Sequence, residues 1–162
     1  MKGLGLFVCV FLGAVLVSAV SRAADPAHEM EVLGLQPEPR SRATALLLRS
    51  RDQDKRELTL YIGALEATAI AVPLQNLHPP RPLTHDLLIE VIQRFNGHIK
   101  RVLIRGIQDN AYVADLVVEA GGREMVFDVR PSDAIALALR ASTPIFAADA
   151  AFAAPAPPQE AP

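Results

Sequence analysis

Alternating apolar and polar residues run through much of the chain and predict β-strands. In Glu57 to Ile62, Leu58, Leu60 and Ile62 alternate with Glu57, Thr59 and Tyr61. Ala120-Gly121-Gly122 separates two such stretches and predicts a hairpin. Apolar stretches predict the other strands over Met30 to Leu35, Ala43 to Arg49, His98 to Ile107, Ala111 to Glu119, Arg123 to Val129, and a short edge strand over Pro144 to Phe146.

Three other stretches predict helices. Ala64 to Leu74 is apolar on nearly all sides, with Glu66 as its sole charge, which predicts a buried helix. His85 to Asn96 is amphipathic, and Thr84 precedes it as the expected N-cap. The third helix covers about Pro131 to Ala141, is apolar after its first turn and is expected to be buried, with Ser132 or Asp133 as its cap.

The order of these elements predicts the fold class. Strands follow one another in antiparallel-looking groups, and the helices lie between the groups. We therefore expect a single compact α+β domain over residues 30–147, with a mainly antiparallel sheet and about three helices. Residues 24–29 form a short lead. Residues 148–162 are rich in Ala and Pro with two charges, which predicts a disordered tail.

The first 23 residues have the pattern of a secretory signal peptide. Lys2 precedes an almost unbroken apolar run from Leu4 to Val20, and Ser21-Arg22-Ala23 supplies a cleavage site. We therefore expect export, to the periplasm or outside the cell, with no membrane contact after cleavage. The alternative is an uncleaved helix that anchors the protein. Cleavage removes the sole cysteine and two of the 16 basic residues, which leaves 14 against 18 acidic residues, or −4. That balance disfavours a strong salt-driven grip on nucleic acid.

The start of the second helix is the first candidate for chemistry. Arg81 lies in a proline-rich segment just before His85 and Asp86. An imidazole and a carboxylate beside unpaired backbone N–H groups suit metal binding, water activation or proton transfer, and Arg81 suits a phosphate. In the structural alternative, Asp86 complements the helix dipole and His85 is solvated.

The start of the third helix and the lone charge of the first helix are the other candidates. Asp128, Arg130 and Asp133 form a polar cluster where a strand enters an apolar helix, and an ion pair of Arg130 with Asp128 or Asp133 is the structural alternative. Glu66 must be paired, protonated or bound to metal, with Arg81 or Arg130 as possible partners. The spacings match no zinc site, P-loop, dinucleotide fingerprint or nucleophile elbow.

Taken together, three segments resemble the signature stretches of the bifunctional nuclease (BFN) domain family: Leu60 to Ile70, Pro80 to Leu88 and Asp128 to Arg140. Their order and spacing also fit, over about Met30 to Phe146. The resemblance implies a compact α+β domain that assembles into homo-oligomers, and some members cut both DNA and RNA. Two features depart from the family: Val113 follows Tyr112 where an aromatic pair is common, and the export signal is unlike intracellular members.

Two functional hypotheses follow. In the first, the protein is a nuclease that hydrolyses DNA and RNA with the help of Mg²⁺ or Mn²⁺. Its expected catalytic residues are His85, Asp86, Asp133 and Glu66; its metal ligands Asp86, Asp128 and Asp133; and its nucleic-acid contacts Arg81, Arg130, Ser132 and Tyr112. In the second, the protein is a non-catalytic exported binding or assembly module, and the same polar residues brace the junctions between strands and helices.

Overall fold

A computed structural model of the protein describes residues 26–39 and 41–153. The predicted signal peptide and most of the predicted tail lie outside this part of the chain. The described elements are β1 (Ala27–Pro37), β2 (Thr44–Ser50), β3 (Glu57–Ile62), α1 (Ala64–Leu74), α2 (Thr84–Arg94), β4 (Gly97–Gln108), β5 (Ala111–Ala120), β6 (Arg123–Val129), α3 (Pro131–Ala141), β7 (Ile145–Ala148) and the 3-10 helix η1 (Asp149–Phe152). This is the α+β domain that the sequence predicts.

The seven strands form one sheet in the order β3-β2-β1-β7-β4-β5-β6. Strands β1 to β3 pair antiparallel in sequence order, and so do strands β4 to β6. The Gly121-Gly122 turn closes the predicted β5–β6 hairpin with both glycines at positive φ, 59° and 72°, as a two-residue hairpin turn requires. The sheet therefore consists of two antiparallel groups of three strands.

The short strand β7 joins these two groups. It pairs antiparallel with β1, where Ile145 lies opposite Met30, and parallel with β4, where Ile145 lies opposite Val102. Ile145 and Ala147 are both buried. The prediction of an edge strand here is wrong, because this strand is central and has hydrogen-bonded neighbours on both sides.

Helix α3 is the buried helix of the domain. Its residues Ala134 to Ala138 are all buried, and Ile135 belongs to the main hydrophobic core. The prediction that α1 is buried is wrong: Ile70 is its one buried residue, and Leu65 is 85% exposed. Helix α1 packs against α3, and most of its other residues are partly or fully exposed although they are apolar. Among the described residues, no helix is long and apolar enough to cross a membrane.

The first residues of the predicted tail are ordered, so that prediction is wrong for residues 148–152. Ala148 ends β7, and η1 follows it. Asp149 accepts hydrogen bonds from Arg56 and from His28, the latter at 3.0 Å. The Arg56 guanidinium lies 3.8 Å from the centre of the Phe152 ring. Two anchoring side chains in an Ala-rich stretch thus attach it to β1 and to the segment before β3.

We expect truncation of the central strand to be costly. Ile145→Ala leaves a cavity in the main hydrophobic core and should lower the free energy of unfolding by about 2 to 5 kcal/mol. Leu33→Ala, which truncates an exposed residue of β1, should cost less than about 1 kcal/mol. Urea denaturation of both variants measures the difference, and equal losses would contradict the central role of β7.

Candidate active site

The start of α3 is organised by Arg130. Arg130 is the N-cap residue with extended backbone (φ −66°, ψ 138°), and Pro131 occupies the first helical turn. A residue before proline is disfavoured from helical angles, and proline suits a first helical position. The prediction that Ser132 or Asp133 caps α3 is therefore wrong by two or three positions. Asp133 instead lies in the first turn, where its carboxylate faces the arginine.

Arg130 bridges two carboxylates from different helices. Its Nε and Nη2 donate to Asp133 at 2.7 and 3.1 Å, and its Nη1 donates to Oε1 of Glu66 in α1 at 2.9 Å. Both pairs were among the structural alternatives drawn from the sequence. Hydrogen bonding and charge from Arg130 lower the pKa of Asp133 despite its partial burial, and Asp133 in turn raises the pKa of Arg130, with Glu66 adding to the effect.

Gly63 provides the space that Glu66 occupies. A Cβ atom at position 63 would lie 2.6 Å from Oε2 of Glu66, well inside van der Waals contact. The φ of Gly63 is −74°, an angle open to any residue, so the backbone itself does not require glycine. A side chain at position 63 would instead require the Glu66 carboxylate to shift.

His85 extends the cluster to α2. Its Nε2 lies 3.4 Å from Oδ1 of Asp133. Asp133 therefore has an imidazole on one side and the Arg130 guanidinium on the other. The structure thus brings together four of the predicted site residues, in the order His85, Asp133, Arg130 and Glu66; we call them the Asp133 cluster.

Asp86 belongs to a second ion pair. Its Oδ2 accepts a hydrogen bond from the backbone N–H of Leu83 at 2.8 Å. Leu83 is thus the N-cap of α2, and the prediction of Thr84 is wrong by one position. Oδ1 of Asp86 accepts from Nε of Arg140 at 2.7 Å. Burial raises the pKa of Asp86, but the bonds from Leu83 and Arg140 outweigh it, and the net shift is downward.

Arg140 is a residue that the sequence analysis did not single out. Its side chain is 6% exposed, and its Nη1 donates to the carbonyl oxygens of Ala69 and Ala136 at 2.7 and 2.9 Å. It therefore connects α1, α2 and α3. The signal in the sequence was its charge at the end of an otherwise apolar helix.

The expected metal ligands are not gathered in one place. Asp128 is 76% exposed in β6 and pairs with Arg105, which also lies 3.0 Å from Asp115. Asp86 and Asp133 are held by arginines. In the described part of the chain, no three His, Cys, Asp or Glu side chains form a group that can hold a metal ion. The donors as arranged do not fit a Mg²⁺ or Mn²⁺ site.

A groove of about 620 Å³ lies beside Arg130 and Glu66. Ser132 and Tyr112, both predicted to contact nucleic acid, line it. Val113 is not among the lining residues. Arg81 lies elsewhere, in a pocket of about 320 Å³ shared with Asp86 and Arg140. Tyr61 and Arg42 also line the groove. Tyr61 was not among the site residues predicted from the sequence.

Loss of Arg140 should destabilise the fold. Arg140→Ala leaves Asp86 and two carbonyl groups without their donor, and we expect a loss of about 2 to 4 kcal/mol, below the range for a fully buried pair because Asp86 keeps some exposure. Arg94→Ala removes an exposed pair with Glu90 within α2 and should cost less than about 0.5 kcal/mol. Chemical denaturation compares the two, and similar losses would contradict this role of Arg140.

The lowered pKa values of Asp86 and Asp133 predict a sensitivity to acid. Because each folded-state pKa lies below the unfolded value of about 3.9, their contribution is complete above that value and is lost as the pH falls through the folded pKa. The free energy of unfolding should therefore decrease as the pH is lowered from about 4.5. In Asp86→Asn/Asp133→Asn the fall should be shallower. Urea denaturation from neutral to acid pH tests this, and parallel curves would refute it.

Comparison with known proteins places this fold in a family. The chain matches the bifunctional nuclease domain over residues 46–157. It is 39% identical over 125 residues to an uncharacterised protein of Mycobacterium tuberculosis. The aligned residues cover 77% of this chain and 74% of that protein.

Plant proteins named as nucleases also match. Bifunctional nuclease 2 of Oryza sativa is 30% identical over 104 residues, which cover 62% of this chain and 32% of the rice protein. Bifunctional nuclease 2 of Arabidopsis thaliana is 24% identical over 105 residues, or 63% of this chain and 32% of that protein. The chain thus spans about a third of each plant protein. With the family match over most of its length and the signature segments assembled around Arg130, this chain is a member of the bifunctional nuclease domain family.

Proposed function

We propose that the protein is a nuclease that hydrolyses phosphodiester bonds in DNA and RNA. Family membership and the names of the plant relatives support this activity. The observation that carries it is the position of Asp133 between His85 and Arg130, of which Arg130 lines a groove. A proton-transfer group and a phosphate-binding group are the two parts that hydrolysis of a phosphodiester requires.

In the proposed mechanism His85 is the general base. The ionised Asp133 accepts the Nε2–H of the neutral imidazole, which leaves the Nδ1 lone pair to take a proton from water. Asp133 also stabilises the imidazolium that forms. The water oxygen bonds to phosphorus as the P–O bond on the opposite side breaks. The leaving oxygen takes its proton from solvent, and His85 releases the proton it accepted to solvent.

Arg130 is the proposed phosphate contact. Its side chain is 65% exposed, and three hydrogen bonds to Glu66 and Asp133 fix its orientation. The remaining N–H groups of the guanidinium are available to a phosphate oxygen, to which they would give charge-assisted hydrogen bonds. Glu66 is a positioning residue in this scheme, and Ser132 offers a hydroxyl from the groove wall.

A requirement for Mg²⁺ or Mn²⁺ stays a prediction from the sequence, and no step above passes through a metal. Binding of a metal by Asp133 would compete with its arginine and histidine partners. Cleavage assays with EDTA, followed by addition of either ion, test this requirement directly.

The expected result of removing the base is a loss of cleavage without a loss of folding. His85→Ala should lower kcat by about 100- to 10,000-fold on single- and double-stranded DNA and RNA. His98→Ala, an exposed histidine of β4, is the matched control and should cleave like the wild type. Melting temperatures of both variants should stay near the wild-type value. A purified protein that cleaves no substrate with either metal present would overturn the nuclease proposal.

A second candidate is a non-catalytic exported binding or assembly module. It is favoured by the mutual satisfaction of the Asp133 cluster, in which each charge already has a partner, as a structural brace requires. Two further proposals rest on the sequence: export through residues 1–23, and assembly into homo-oligomers. The edge strand β6 supports the latter, since it leaves Met125, Val126 and Phe127 exposed beside an unpaired edge.

A further inference from the structure

The groove beside Arg130 is lined from both halves of the sheet. Tyr61 comes from β3, at one end of the strand order, and Tyr112 comes from β5, near the other end. Its volume of about 620 Å³ lies within the range of pockets that hold small organic ligands. The groove is therefore of a size for one nucleotide rather than for a length of duplex.

Two tyrosine rings give the groove an aromatic lining. Tyr61 lies on the polar side of the alternation in β3 and is 42% exposed, although an aromatic ring would gain from burial. Tyr112 is partly buried, which raises the pKa of its hydroxyl and keeps it an uncharged hydrogen-bond donor. Exposed aromatic rings in a groove are the surfaces on which unpaired bases stack.

Two arginines also line the groove. Arg130 lies at the start of α3, and Arg42 lies just before β2. Most described basic residues are neutralised by an acid: Arg49, Arg51, Arg56, Arg94, Lys100, Arg101 and Arg105 each pair with Asp or Glu. Arg42 is exposed and has no such pair within the described residues. Arg130 is paired with Glu66, which also lines the groove, so Arg42 contributes the positive charge that no acid of the described residues neutralises.

We propose that this groove binds one nucleotide of a single-stranded nucleic acid, with its base on Tyr61 or Tyr112 and its flanking phosphates at Arg42 and Arg130. The inference deepens the proposed nuclease function, because it names single strands as the substrate class. Stacking requires an exposed base face, which a paired and stacked duplex does not offer. Because every base has such a face, the binding should tolerate any sequence.

Fluorescence anisotropy with a labelled oligothymidylate of about 12 nucleotides tests the proposal. A hairpin duplex of equal length is the comparison, and every protein compared also carries His85→Ala, which by the proposed mechanism leaves the labelled strands uncut. The single strand should bind the full-length protein at least about 10-fold more tightly than the duplex. Tyr61→Ala should weaken single-strand binding by about 5- to 100-fold, whereas Tyr61→Phe, which keeps the ring, should bind within about twofold of wild type.

The salt dependence tests the phosphate contact. Arg42→Ala should reduce the slope of log affinity against log salt by about 0.7, as expected for one lost contact to a single strand. Arg123→Ala is the matched control, since Arg123 is also exposed, lies in β6 and does not line the groove. Its slope should equal that of the wild type.

The results separate this inference from the nuclease proposal. If single-strand binding depends on the Tyr61 ring and on Arg42 but the protein cleaves nothing, the groove proposal is supported. The catalytic assignment is then wrong. If the protein cleaves nucleic acid but Tyr61→Ala and Arg42→Ala leave its binding unchanged, the groove is not the binding site. The catalytic assignment would then still stand. Equal affinity for duplex and single strand, or no binding of either, would also overturn the groove. Melting temperatures near the wild-type value show that Tyr61→Ala and Tyr61→Phe are folded.

Discussion

Hydrogen bonding of β7 to both β1 and β4 is the constraint on which the rest of the structure depends. Without it the sheet would be two separate antiparallel groups of three strands each. With it, the two groups form one sheet and α3, which leads directly into β7, is buried in the core. The groove follows from the same pairing, because its two tyrosines come from different groups.

Two arginines hold the helices and the acidic side chains of the candidate site in place. Arg130 and Arg140 each collect groups from more than one helix, so the three helices approach the sheet in a defined arrangement. The ion pairs lower the pKa values of Asp86 and Asp133 and keep both ionised near neutral pH. Stability and proposed chemistry therefore share the same contacts: a phosphate that approaches Arg130 meets a guanidinium already oriented by Glu66 and Asp133, and competes with them for it.

Local patterns predicted the elements well, and long-range pairing is where prediction from the sequence ended. The strand Glu57–Ile62 and the helix Ala64–Leu74 have the predicted limits, because alternation and apolar runs are local properties. The place of β7 depends on partners more than 40 residues away in β4 and over 110 residues away in β1, which a four-residue strand does not encode.

The same limit applies to the site residues. From the sequence, either Arg81 or Arg130 could pair with Glu66, and only the fold selects Arg130. Asp128 was grouped with the site by proximity along the chain, yet it pairs with Arg105. Tyr61 was counted among the polar positions of β3, so its ring was not predicted to line a binding groove.

Gly63 gives the site a marker that can be found in a sequence without coordinates. Its hydrogen atom stands where any other residue would place a carbon against the Glu66 carboxylate. Glycine and glutamate three positions apart therefore form a single unit. A relative that keeps the glutamate but replaces the glycine must shift that carboxylate from this position. The Gly63–Glu66 pair is therefore a position at which distant relatives can be compared for this placement of the carboxylate.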